Sequence, residues 1–242
     1  MRKLLLGLAL VTLVTGYVGA AAAADREVTV TPIEFTVPTP LTFGPLGFPV
    51  ACQVGNLNPA AWAISNFLLP PEEYKLAFDP LATCSTCPVG FRVTTVRIYL
   101  QTGAACTITM AANVEEAVYA GAGCPAPGPV VCGSSLYTVN VPSAGLWNIG
   151  IPITCDCLAT GRDYLLGIQF VSASCTPDLI TDAGPGQLCL NWNNYGTGWY
   201  DLVGAFPTWP GQLKILADAE CCTPPVPAEE RSWGAVKQLY DE

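Results

Sequence analysis

The chain has 242 residues, no histidine, 10 basic against 19 acidic side chains and a formal charge of −9. That sign repels nucleic acid and anionic lipid, and the missing imidazole removes Ser-His-Asp and Cys-His nucleophiles together with every histidine-bearing metal site. With 51% hydrophobic and only 12% charged residues, the composition also excludes a disordered chain.

The chain opens with Met1-Arg2-Lys3, an apolar run over 4–14 and an alanine-rich stretch in which Ala22 and Ala24 suit the two small positions of a peptidase site. This is the plan of a secretory signal peptide over 1–24. The run of 4–24 is also about long enough to be a membrane anchor, but its strongly apolar part is short, so cleavage is the expected outcome and no stable membrane span is then left. The leader also carries away Arg2 and Lys3, which makes the exported part more acidic still.

After the leader, period-2 alternation and β-branched or aromatic residues recur between Gly, Pro and Asn breaks, and helical periodicity is scarce. Residues 27–37 read as a strand with a bulge or an edge at Thr31-Pro32. The region 50–90 reads as loop and strand, with a short helix over 58–69 as the alternative and an interruption at Pro70-Pro71. Residues 91–101 set Val96, Ile98 and Leu100 on one face and Arg97, Tyr99 and Gln101 on the other. Further strands are expected over 107–114, 116–120, 136–141, 146–151, 164–171, 187–192, 199–203 and 212–219. The segment 164–171 is apolar on both faces, as a strand covered from both sides would be. The fold class that follows is all-β, a two-sheet antiparallel β-sandwich of jelly-roll or Greek-key type stapled by disulfides, with a short C-terminal helix. A closed barrel is the alternative. The expected division is a leader over 1–24, a β-sandwich domain over 25–222, a Pro-rich spacer over 223–228 and a helical tail over 229–242.

The 12 cysteines all follow the leader: Cys52, Cys84, Cys87, Cys106, Cys124, Cys132, Cys155, Cys157, Cys175, Cys189, Cys221 and Cys222. An even number in an exported chain points to disulfides, although about ten thousand pairings are open. The turn-rich loop between Cys124 and Cys132 suggests that these two close on each other. Adjacent Cys221 and Cys222 point to opposite faces and so reach two different partners. Cys84 and Cys87 have the spacing of half a zinc site or a redox pair, and Cys155 with Cys157, or Cys221 with Cys222, would complete four thiolates. Structural disulfides are favoured over that reading, and no metal or cofactor is expected.

Glu229 and Glu230 suit a helix start, and Trp233, Val236 and Tyr240 fall on one side of the helix that would follow. Gly234 weakens that helix by about 1 kcal/mol, so it is marginal alone and suits a segment that orders on docking to a receptor. The ending Ser232-Trp-Gly-Ala-Val-Lys-Gln-Leu-Tyr240 behind a proline-rich spacer resembles the tails of a group of secreted bacterial proteins without established activity. Stretches like Gly198-Trp-Tyr-Asp-Leu202 and a Cys-Cys close extend the resemblance over about the last two-thirds of the chain. Asp241 and Glu242 depart from the basic ending of those tails. The resemblance implies a bacterial, exported setting and no chemistry.

Catalysis by two carboxylates needs no histidine, but adjacent Glu115 and Glu116 diverge in a strand, and Asp156, Asp163, Asp178, Asp182 and Asp201 share no motif. Asp178 and Asp182 have the oxygen chemistry of a calcium loop without its ligand pattern. The most suggestive stretch runs from Trp192 to Trp209, where Trp192, Tyr195, Trp199, Tyr200, Phe206 and Trp209 surround Asn193 and Asn194. Rings with amides between them suit sugars; rings filling the core are the structural reading. The sequence therefore supports a non-catalytic exported protein with a structural, adhesive or binding role and a glycan or cell-surface partner. A carbohydrate-binding module built on that cluster is the alternative, and a glycoside hydrolase comes third.

Overall fold

The computed structural model describes residues 26, 28–35, 37–42, 52–120, 123–196 and 198–223. The expected leader over 1–24, the expected spacer beyond Thr223 and the expected tail with Trp233, Val236 and Tyr240 lie outside the described residues.

In chain order the elements are β1 (Thr29–Pro32), β2 (Thr39–Thr42), β3 (Cys52–Gly55), β4 (Ala60–Ser65), β5 (Glu73–Phe78), a 3-10 turn at Pro80–Ala82, β6 (Phe91–Thr102) and β7 (Cys106–Glu116). They continue with β8 (Val118–Ala120), β9 (Cys124–Ala126), β10 (Val130–Gly133), β11 (Tyr137–Val141), β12 (Gly145–Pro152), β13 (Tyr164–Ala173) and β14 (Asp178–Asp182). The last are β15 (Asn191–Asn194), β16 (Trp199–Asp201), α1 (Leu202–Ala205) and β17 (Ile215–Cys221).

The first sheet runs β1-β4-β14-β6-β12-β2, with β17 sharing the edge of β6 used by β14 and carrying β3 beyond it. The second runs β10-β7-β13-β5-β15-β16, with β11 beside β10 on the edge of β7. Among the described residues every strand pairing is antiparallel except β2 on β12. The chain is a disulfide-stapled all-β sandwich. Val96, Ile98 and Leu100 of β6 meet Tyr74, Leu76 and Ile168 of the second sheet in one core. Alternation of side chains puts these residues inside and Arg97 and Tyr99 of the same strand outside. Both faces of β13 are covered: Leu166 and Ile168 face the main core, and Leu165 packs with Ala77 and Trp192 in a satellite core against Ala117, Cys124 and Ala126.

Several expectations are corrected. Within the loop-and-strand region the alternative of a helix over 58–69 gives way to β4, because Ile64 faces the main core and Ala63 a second satellite core, so both sides of the strand are apolar and alternation is lost. Residues 187–190 form a loop before β15 starts at Asn191, and β16 gives way after Asp201 to the single turn of α1, whose first turn Asp201 caps by accepting from the Val203 amide at 3.3 Å. Cys124 and Cys132 are not bonded to each other. Cys124 pairs with Cys189, and Cys132 with Cys155. The remaining bridges are Cys52–Cys84, Cys87–Cys221, Cys106–Cys175 and Cys157–Cys222, which leaves no free thiol. The Cys84 and Cys87 pair therefore holds two strands, β3 and β17, and no shared ligand.

Candidate functional site

A groove of about 380 Å³ opens at one end of the sandwich between the β3–β4 turn, the end of β5 with the 3-10 turn, and the 187–190 loop. Leu76, Phe78 and Leu190 give it apolar surface, and Asn56, Asn58, Thr83, Gln187 and Gln212 give it amide and hydroxyl groups. The side-chain oxygen of Thr83 is buried and has no hydrogen-bond partner within the described protein. A buried hydroxyl left unpaired costs free energy.

The floor is a connected polar network. Asn56 donates from Nδ2 to the carbonyls of Gln212 (3.0 Å) and Leu213 (3.2 Å). Asn58 donates to Asp182 at 2.7 Å, and the other Asp182 oxygen accepts from the amides of Gln212 (2.9 Å) and Gly184 (3.1 Å). Asn191 donates to the Gln212 side chain and accepts from the Leu213 amide at 2.8 Å. Asp182 thus spends both oxygens on N–H donors, and Asp178 stands at the far end of β14, so the two do not form the oxygen cage that calcium needs. Beneath the network the buried Lys214 donates to the Asn56 carbonyl at 2.6 Å, and burial lowers its pKa to about 8 against the pull of Asp182.

Two disulfides pin the groove's walls. Cys84, next to Thr83, is bonded to Cys52 at the start of β3, and Cys189, next to Leu190, is bonded to Cys124. A site held this way loses little conformational freedom on binding.

The six aromatics that are neighbours in sequence are divided by strand alternation. Trp209 is buried in the main core against Phe67 (4.9 Å) and Phe206 (6.4 Å). Trp192 and Trp199 face the other way, over the outer surface of the second sheet, with Trp192 buried beside Leu165 and Trp199 half-buried. Tyr195 and Tyr200 meet edge to face at 5.9 Å, and Arg26 lies 4.1 Å over the Tyr195 ring. The amides between the rings are used internally. Asn193 is buried and donates to the Glu73 carbonyl (3.3 Å) and to Glu72 (3.5 Å), while Asn194 accepts from the Gly196 amide (3.1 Å) and so closes its own turn. Glu72 also takes Arg26 and the Tyr74 hydroxyl, and burial together with Glu72 holds that phenol well above its ordinary range.

Glu115 and Glu116 diverge, Glu115 to Lys75 and Glu116 to Arg162. A second hollow of about 300 Å³ holds Glu116 and Asp163, the first paired with Arg162 and the second accepting from the Tyr119 hydroxyl.

Residues 52–219 match the family described as Domain of unknown function (DUF7451). The chain belongs to the DUF7451 family. The DUF7451 region runs from β3 to β17 and contains every residue of the groove. None of the curated proteins matches the chain. Among solved structures it is 12% identical to the clostridial cysteine protease Cwp84 after propeptide cleavage, with a TM-score of 0.42 over 64% of this chain and 37% of that one. It is also 12% identical to the cysteine protease and lectin-like domains of Cwp84, a surface-layer-associated protein of Clostridium difficile, with a TM-score of 0.39 over 66% and 34%. The chain therefore spans about a third of the length of either.

Proposed function

We propose that this chain is a non-catalytic, exported bacterial binding module, working at or outside the cell surface, and that its groove takes a neutral, hydroxyl-rich ligand such as a glycan. The observation that carries the reading is a groove lined by Leu76, Phe78 and Leu190 together with Asn56, Asn58, Thr83 and Gln212, whose two walls are covalently fixed. Apolar walls with a few fixed polar groups are the usual plan of a small-molecule site. Six disulfides support an oxidising compartment. The engagement of Glu115, Glu116, Asp163 and Asp182 by internal partners supports a binding role over hydrolysis.

A second reading places the sugar on Trp199, whose ring is half-exposed. A glycan array probed with the wild-type chain, Thr83→Val and Trp199→Ala separates the two. Loss of signal in Thr83→Val alone supports the groove, loss in Trp199→Ala alone supports the ring, and silence of the wild type removes both.

A further inference from the structure

Among the described residues the lysines are Lys75 and Lys214, and both are buried, a position lysine almost never takes without a dedicated partner. Lys214 belongs to the floor of the groove. Lys75 has no such role. It sits on the outer face of β5, fully enclosed, with Trp199 over its ammonium at 4.3 Å.

Lys75 and Asn113 are partners of the same residue, Gly167, on the two sides of β13. A Cβ at Gly167 would stand 3.1 Å from Lys75 Cε and 2.9 Å from Asn113 Cγ, so the two side chains converge over this glycine and only a hydrogen leaves room for them. One carboxylate oxygen joins them: Glu73 Oε1 is 3.0 Å from Lys75 Nζ and accepts from Asn113 Nδ2 at 2.6 Å. Glu115 contacts Nζ from β7. The Asn113 carbonyl oxygen is buried with no hydrogen-bond partner, an arrangement that a mere structural ion pair does not explain.

We infer that Lys75 and Asn113 form an intramolecular isopeptide bond, with Glu73 as the catalytic proton carrier. Glu73 takes a proton from the Lys75 ammonium, and the freed lone pair of Nζ attacks Asn113 Cγ. The new C–N bond forms as the bond from Cγ to Nδ2 breaks, and Glu73 passes to the leaving nitrogen both the proton taken from the ammonium and the second proton that Nζ sheds on attack. An ammonium and a carboxamide become a secondary amide and an ammonium ion, with no oxidant or cofactor. Glu115 is a positioning residue that fixes Nζ, and burial raises its carboxyl above the ordinary range. The product ties β5 to β7 across β13, a covalent strut on the face opposite the main core.

The test is peptide mapping of the reduced, alkylated wild-type chain after trypsin. A linked protein yields segment 27–92, uncut after Lys75, joined to segment 98–162, the pair lighter by one ammonia than the two separate peptides. Lys75→Arg and Asn113→Ala must abolish the joined species, and Glu73→Gln must leave both segments separate while the circular dichroism stays that of the wild type. Quantitative recovery from the folded wild type of a peptide ending at Lys75, and of 98–162 unmodified, overturns the inference. The readout is a covalent mass, so it stands or falls separately from glycan binding.

Discussion

Cys221 and Cys222 are neighbours in the chain, yet Cys221 is bonded to Cys87 and Cys222 to Cys157, so the end of β17 is held from two directions. Strand geometry sends adjacent side chains to opposite faces, and here that alternation becomes a double clamp.

The clamp sets an order among the bridges. Cys87–Cys221 spans 134 positions and Cys132–Cys155 spans 23. By loop-closure entropy, replacing the first pair with alanines costs about 5 kcal/mol and the second about 3 kcal/mol. Urea unfolding of the two double variants checks the ranking; equal midpoints would contradict it.

Thr83→Val separates binding from folding. It removes a buried hydroxyl that has no internal partner, so stability changes by less than about 1 kcal/mol and does not fall, while affinity for the array-selected glycan drops about tenfold. Thermal melting and calorimetric titration of the same sample provide both readings.

Gly211 turns the chain into the groove at a φ of +62°, and a Cβ there would lie 2.3 Å from the Asp182 carbonyl oxygen and 2.4 Å from its side chain. Gly211→Ala therefore strains the backbone and pushes Asp182 off its donors. A loss of at least about 2 kcal/mol is expected in chemical denaturation.

Lys214 makes stability depend on alkaline pH. Its pKa is about 8 in the fold and about 10.5 when solvated. Between these values the unfolded chain holds the extra proton, so stability rises with pH across that window, and below pH 8 the fold carries the whole cost of a buried ammonium. Lys214→Met should flatten the rise in unfolding free energy measured from pH 8 to 10.

Trp209→Ala should cost about 3–5 kcal/mol, since the ring fills the main core, whereas Trp199→Ala should cost about 1–2 kcal/mol, since its ring is half-exposed. Melting curves of the two variants test the division of the aromatic cluster.

What the sequence reveals depends on how far local pattern and tertiary burial agree. The segment Val96–Leu100 keeps strict alternation because one face meets the core and the other meets polar side chains, so its faces are readable directly. Ala60–Ser65 is not, because covering both faces of β4 erases the period and leaves an alanine-rich run that looks helical. Cys124 and Cys132 suggest a local loop, but they lie on β9 and β10, and they are bonded instead to Cys189 and Cys155. The groove draws Asn56, Thr83 and Gln212 from three separated stretches, which no spacing announces. The Lys75 cluster did leave a trace. Glu73 with Lys75, and Asn113 with Glu115, are polar pairs two apart inside apolar strands, each pair on one face of its strand.

The central claim is that a covalently braced groove, and not the ring cluster, meets the ligand. The direct measurement is a nitrogen-15 NMR titration of the oxidised protein with neutral glucose-, mannose- and N-acetylglucosamine-based oligosaccharides. The account predicts saturable shifts at the side-chain amides of Asn56, Asn58, Gln187 and Gln212 and at the Thr83 backbone. Shifts centred on the Trp199 indole, or none at millimolar sugar, would contradict it.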